Sequence, residues 1–221
     1  MKKFGEDVEG YSIPVLNERE IRASAGILFL LISISIMQVA FEQDFLMLKY
    51  FVIIFLSDFI IRIFVHPKYS PTLIIGRLMV SNQVPEYVGA AQKKFAWIIG
   101  LSLSTIIFFF LIVINTHSFI TGSACIICLL FLFFESAFGI CLGCLVYRWF
   151  NKEKAKYCPG EICEATKKQD IQKISRVQIF IIMGFIAFII VAIFLFNDSF
   201  SEKPKNLWEL LGNSVNGLQT R

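Results

Sequence analysis

Five long runs of apolar residues, with few charges inside them, constrain this chain more than any other feature. They cover about residues 24–41, 45–65, 95–115, 119–149 and 177–196. A helix that crosses ~30 Å of hydrocarbon needs roughly 20 apolar residues, so each run is long enough to span. The runs are continuous, whereas the strands of a membrane barrel alternate, so helices are predicted. Charged residues make up 17% of the chain, against the about 25% typical of a soluble domain. The predicted fold is therefore all-α, a polytopic membrane helical bundle with four core spans and a fifth, C-terminal span.

The chain divides accordingly. Residues 1–23 form a polar N-terminal segment, 24–150 the four-helix core, 151–176 a cysteine-containing loop, 177–196 the fifth span and 197–221 a polar tail. The N-terminal segment has mixed charge and no cleavable-signal pattern, so the first run is expected to stay as a span. The fourth run exceeds one span and is expected to tilt or to break at Gly139 or Gly143. Pro67, Pro71 and Pro85 interrupt residues 66–94, leaving TLIIGRLMVS as a short helix expected to lie at the membrane interface. Trp208, in LWELL, is an expected interfacial anchor.

Basic residues orient the spans. The turn Glu42–Asp44 and the turn Asn115–Ser118 contain no Lys or Arg. The loop 66–94 has Lys68, Arg77, Lys93 and Lys94, and residues 148–176 have Arg148, Lys152, Lys154, Lys156, Lys167, Lys168, Lys173 and Arg176. The positive-inside rule puts these loops and the N-terminus in the cytoplasm and the C-terminus outside. The same rule accounts for the formal net charge of +4, which argues against a nucleic-acid partner.

All six cysteines fall between Cys125 and Cys163, as the pairs Cys125/Cys128, Cys141/Cys144 and Cys158/Cys163. Cys125 and Cys128, in the outer half of the fourth span, suit packing, since free cysteine behaves as a small hydrophobe. Cys141 and Cys144 are expected one to two turns inside the cytoplasmic end of that span. The basic loop that follows is able to fold Cys158 and Cys163 back onto them. Three kinds of chemistry are open to four such sulfurs. They are disulfide exchange, carriage of sulfane sulfur as a persulfide, and binding of zinc or an iron–sulfur cluster. The sequence specifies no cofactor. Lys154 and Lys156 stand close enough to Cys158 to favour its thiolate.

Glu135, Asp58 and Arg62 are charged residues inside the apolar runs that stand out as candidates. Glu135 is expected near the midplane, where an acid marks a functional site by default. Asp58 and Arg62, at i and i+4, read as an ion pair on one helix face. Alternatively, Arg62 acts on a nearby thiol or anion. With Glu135 they are candidates for a substrate or proton path. At 100° per residue Cys125, Cys128, Glu135 and Gly139 share one face, and Cys141, Cys144 and Arg148 a nearly opposite one. A straight helix cannot present both sets to one site. His66 and His117 lie in turns without metal-ligand spacing.

The stretch FESAFGICLGCLVY, residues 134–147, carries Phe-Gly-x-Cys-Leu-Gly-Cys followed by Tyr. It resembles the signature of the bacterial membrane proteins grouped as domain of unknown function 4395. RIFVHPKYSP and KKFAW also resemble that family's loop. The resemblance covers about residues 15–150. It implies a compact four-helix protein of the bacterial inner (plasma) membrane, considered alongside thiol-redox and sulfurtransferase proteins, with Cys141 and Cys144 as the family positions. The expected activity is thiol-based redox or sulfur relay through that pair, with Cys158 and Cys163 exchanging electrons or sulfur with it. The expected partners are the bilayer and a thioredoxin-like or sulfurtransferase protein. Two other readings are a transporter of a small sulfur species and an accessory subunit whose cysteines hold zinc or only pack.

Overall fold

The computed structural model describes residues 4–8, 11–150 and 175–208. The chain begins with strand β1 (Val15–Asn17) and enters helix α1 (Glu18–Glu42). Asn17 caps this helix by accepting from Arg19 N, and Glu18 and Glu20 occupy its first turn, where the helix dipole favours acids. Helix α1 thus starts six residues before its apolar run, with charged residues inside the bundle. Helix α2 (Leu46–Ile60) continues through a π-helical turn, Ile61–Val65. Short helix α3 (Pro71–Met79) precedes strand β2 (Tyr87–Gly89) and helix α4 (Ala90–Phe108), which ends in a second π turn, Phe109–Val113. After β3 (Thr116–His117), helix α5 (Phe119–Phe133) ends in a third π turn, Phe134–Phe138. Helix α6 (Leu142–Phe150), helix α7 (Arg176–Ser201) and β4 (Lys205–Asn206) complete the described chain.

Among the described residues, four helical stretches are long and apolar enough to cross a membrane: Glu18–Glu42, Ala90–Val113, Phe119–Phe138 and Arg176–Ser201. Helix α2 with its π turn also runs the length of the bundle, but it carries Lys49, Asp58 and Arg62, all buried. The all-α membrane bundle read from the sequence is the observed architecture. Its core joins Ile21, Leu28 and Ile32 of α1 with Phe51, Phe55 and Phe59 of α2, Trp97 of α4 and Cys125, Cys128 and Leu132 of α5. Helix α7 buries only Gln178, Ala192 and Phe200. An element apolar all round yet exposed suits hydrocarbon.

Two small pairings hold the ends. β1 pairs antiparallel with β2, Val15 opposite Gly89, and so brings the starts of α1 and α4 together. At the other end β3 pairs in parallel with β4. There Lys49 Nζ donates to Asn115 Oδ1 (3.0 Å), Phe200 O (3.1 Å) and Glu202 O (2.9 Å). An ammonium on the carbonyls that end α7 satisfies acceptors the helix cannot, and complements its dipole.

Helix α3 packs closely on the start of α1. A Cβ on Gly76 would lie 2.5 Å from Glu20 O, so α3 is pressed against the α1 backbone. Arg77 clamps the contact with two 3.0 Å hydrogen bonds to Glu20 Oε2. Burial raises the nearby Glu6 carboxyl, against the opposing pull of Arg77. Glycine permits the backbone contact, and the ion pair neutralises the two buried charges.

Candidate functional site

The site begins where the fourth apolar run breaks. Gly139 closes the π turn Phe134–Phe138 with φ +65°, a left-handed conformation that ends a helix and favours glycine. Ile140 N–H donates to Phe134 O at 3.0 Å across the break. Cys141 then immediately precedes α6. Leu145 N–H donates to Cys141 O at 3.1 Å, and Cys144 N–H to Cys141 Sγ at 3.2 Å. The pair therefore lies at the N-terminus of a new helix rather than near the end of a continuous one. Cys141 and Cys144 are buried and joined as a disulfide, with their Cα atoms 5.1 Å apart.

Helix α6 lies flush on α4. A Cβ on Gly143 would sit 2.5 Å from Ala96 Cβ and 2.7 Å from Ala96 Cα. Gly143→Val is therefore expected to cost about 1–3 kcal/mol through overpacking and to lift the pair off α4. Faster alkylation of Cys141 and Cys144 after mild reduction, with a lower unfolding temperature in detergent, would show it. Alkylation at the wild-type rate would mean that α6 does not depend on this contact.

The break brings together side chains that a straight helix separates. Arg62, Trp97, Cys128, Glu135 and Cys141 line one cavity of about 50 Å³, room for a few waters. Cys125, one turn from Cys128, instead lines a second cavity of about 320 Å³ with Gln43 and His117. Cys125 and Cys128 are both free and buried.

Arg62 reaches the first cavity from a fully buried polar cluster. Its Nε donates to Asp58 Oδ2 at 2.6 Å, and its Nη2 to Ser24 Oγ at 2.6 Å and Thr72 Oγ1 at 2.5 Å. Asp58 also accepts from Ser70 Oγ (2.6 Å), Thr72 N (3.0 Å) and Thr72 Oγ1 (2.8 Å). The guanidinium lies over the rings of Phe59 and Trp97, 4.7 and 5.1 Å from their centres. The i, i+4 pair expected from the sequence is thus one edge of a network that ties α2 to α1 and to the start of α3.

Glu135 belongs to a second cluster. Lys93 Nζ pairs with Glu135 Oε1 and lies 2.6 Å from Glu18 Oε2, with Lys93 and Glu18 both buried. The contact to Glu18 is an ion pair without hydrogen-bond geometry, and Glu18 Oε1 is buried with no partner. Two carboxylates therefore share one ammonium. Arg22 stacks its guanidinium on the Cα face of Gly139.

Sequence reasoning missed Lys93 and Glu18, since one reads as a positive-inside residue and the other as part of a polar tail. Helical phase carried the signal: Lys93 shares a stripe with Trp97, Gly100 and Ser104, and Glu18 with Ile21, Ala25 and Leu28, all buried. Cys158 and Cys163 lie outside the described residues. Among the described residues no cluster of three or more His, Cys, Asp or Glu is arranged to hold a metal.

The chain matches no curated protein and no solved structure. The family model described as "Domain of unknown function (DUF4395)" matches residues 16–152, which contain both buried clusters, the break at Gly139 and the disulfide. The chain belongs to the DUF4395 family, as a member with α7 added beyond the matched region.

Proposed function

We propose that this membrane protein performs thiol–disulfide exchange, as a redox or sulfur relay, through Cys141 and Cys144. One observation carries the reading: the CxxC pair stands at the start of a helix, where Cys141 lines a cavity that also receives Arg62 and Glu135. A helix N-terminus stabilises a thiolate through its free N–H groups and dipole. The thiolate that leaves more readily makes the disulfide easier to open. Cys158 and Cys163 would pass electrons or sulfur to this pair, and a thioredoxin-like or sulfurtransferase protein would be the outside partner. The family resemblance supports a bacterial inner-membrane location, and charge bias in the loops supports a cytoplasmic side for this end of the bundle and the N-terminus.

Differential alkylation and mass spectrometry of purified protein, with metal analysis of the same sample, tests the reading. The expected result is a metal-free Cys141–Cys144 disulfide that opens and closes reversibly, and a Cys141→Ser variant that traps a partner through Cys144. One zinc bound by four unreactive thiols would make the cysteines a structural metal site. Six inert thiols would reduce them to packing.

A second reading, passage of a small sulfur species, is favoured by the two cavities that meet α5 one turn apart, at Cys128 and Cys125. Uptake of labelled sulfide or thiosulfate into vesicles containing the protein is its test. Equal uptake by protein-free vesicles removes it.

A further inference from the structure

We infer that the larger cavity, at the end of the bundle away from the disulfide, binds an uncharged lipophilic molecule that carries a hydroxyl group. The inference stands apart from the thiol reading. The cavity holds about 320 Å³ between the last turns of α1, the start of α2, the π turn after α4 and the first turns of α5. That is the size of a small-molecule site, whereas the cavity beside Cys141 has room only for a few waters.

Burial grades across it. Leu48, Leu111 and Cys125 are buried, while Gln43, Gly122 and Ile126 are exposed. The opening therefore lies where α5 shows apolar side chains to hydrocarbon, and a ligand enters from the membrane. Gly122 keeps it open: a Cβ there would meet nothing within 4 Å. Most of the wall is apolar, so the body of the ligand is apolar too.

His117 supplies the polar contact. Its Nδ1 lies 3.0 Å from Pro204 O, and a carbonyl only accepts, so Nδ1 carries the proton. In the neutral imidazole Nε2 is then an acceptor, and it has no partner among the described residues. The ring packs on Phe45, with 5.6 Å between ring centres. Thr121 does not compete for it, because its Oγ1 is paired with Ser118 Oγ at 3.3 Å. An open acceptor in an apolar wall selects a ligand that donates, such as a hydroxyl. Charge disfavours an anionic group. No Lys or Arg lines the cavity, and Glu42 and Asp44 flank Gln43 at its mouth. Lys49, at the same end, is spent on Asn115 Oδ1, Phe200 O and Glu202 O. Quinols and neutral glycerolipids are two membrane sources of this one chemistry.

The test is equilibrium binding of labelled decylubiquinol and dioctanoylglycerol to the full-length protein in phosphatidylcholine nanodiscs, with decanoate as the charged control. Saturable binding of either neutral probe is expected, and which one binds names the source. Gly122→Leu puts a side chain into the opening without a clash and is expected to abolish binding at an unchanged unfolding temperature. His117→Asn keeps a nitrogen donor for Pro204 O and removes the acceptor. It is expected to weaken binding about tenfold, as loss of one hydrogen bond does. Unfolding temperatures show whether each variant is folded, and Gly122→Leu decides alone if His117→Asn is not. Three results would overturn the site: no saturable binding of either neutral probe, wild-type affinity in either folded variant, or decanoate bound as tightly as the neutral probes.

Discussion

Asp58→Ala is expected to be among the most damaging single substitutions in the chain. Asp58 accepts four hydrogen bonds, from Arg62, Ser70 and the backbone and side chain of Thr72, at a position fully shielded from solvent. Removing it leaves the Arg62 guanidinium buried among Phe59 and Trp97 with only hydroxyl partners. Breaking one half of a buried pair costs about 3–5 kcal/mol, much of it from the stranded charge. The same change frees the start of α3 from α2, because Asp58 holds both Ser70 and Thr72. Urea or thermal unfolding in detergent, with yield of folded protein, is the measurement. The double variant Asp58→Leu/Arg62→Met removes both charges and is expected to recover most of the stability, since a well-packed apolar pair often replaces a buried ion pair without loss. If Asp58→Ala alone unfolds like wild type, the network is not a determinant of stability.

Lys93→Met should do comparable damage for the opposite reason. Lys93 is the cation between Glu18 and Glu135, so its loss leaves two carboxylates facing each other in the bundle. The expected cost at neutral pH is again about 3–5 kcal/mol. Removing both carboxylates along with Lys93 should offset that cost. Lys93→Met/Glu18→Gln/Glu135→Gln has no ionised group left in the cluster, and is expected to unfold close to wild type. Equal instability of the single and triple variants would mean that Lys93 acts by shape rather than charge.

These two clusters show what could be read before the fold was known. Asp58 and Arg62 were legible as partners because four residues on a helix bring two side chains to one face. Glu135 was legible as a site candidate because an acid in an apolar run needs a reason to be there. Lys93 was hidden, because a lysine at the start of a span is what the positive-inside rule expects anyway. Its partner Glu18 was hidden because a polar segment before a span looks like a tail. The burial of both follows from the β1–β2 pairing, which carries the α1 and α4 starts into register. Pairing between residues about seventy positions apart has no local signature.

The cysteines divide the same way. Their spacing and the resemblance to the family marked Cys141 and Cys144. The helical wheel set them opposite Cys128 and Glu135, an arrangement that disfavoured one common site. The left-handed Gly139 undoes that geometry: it ends one helix and starts another, and the new axis turns Cys141 back toward the cavity. A break at Gly139 or Gly143 was anticipated from glycine's conformational freedom. Gly143 turned out to serve close packing on Ala96 instead.

By itself, then, the sequence determined the class of fold and the residues whose chemistry is out of place in hydrocarbon, because those follow from local composition and the period of the helix. Only the tertiary structure decided which of those residues meet. The choice of neighbours depends on strand pairing, on glycines that let backbones touch, and on the angle at which α6 leaves Gly139. Each of these is a relation between distant segments, and energies between distant segments leave no trace in any one of them.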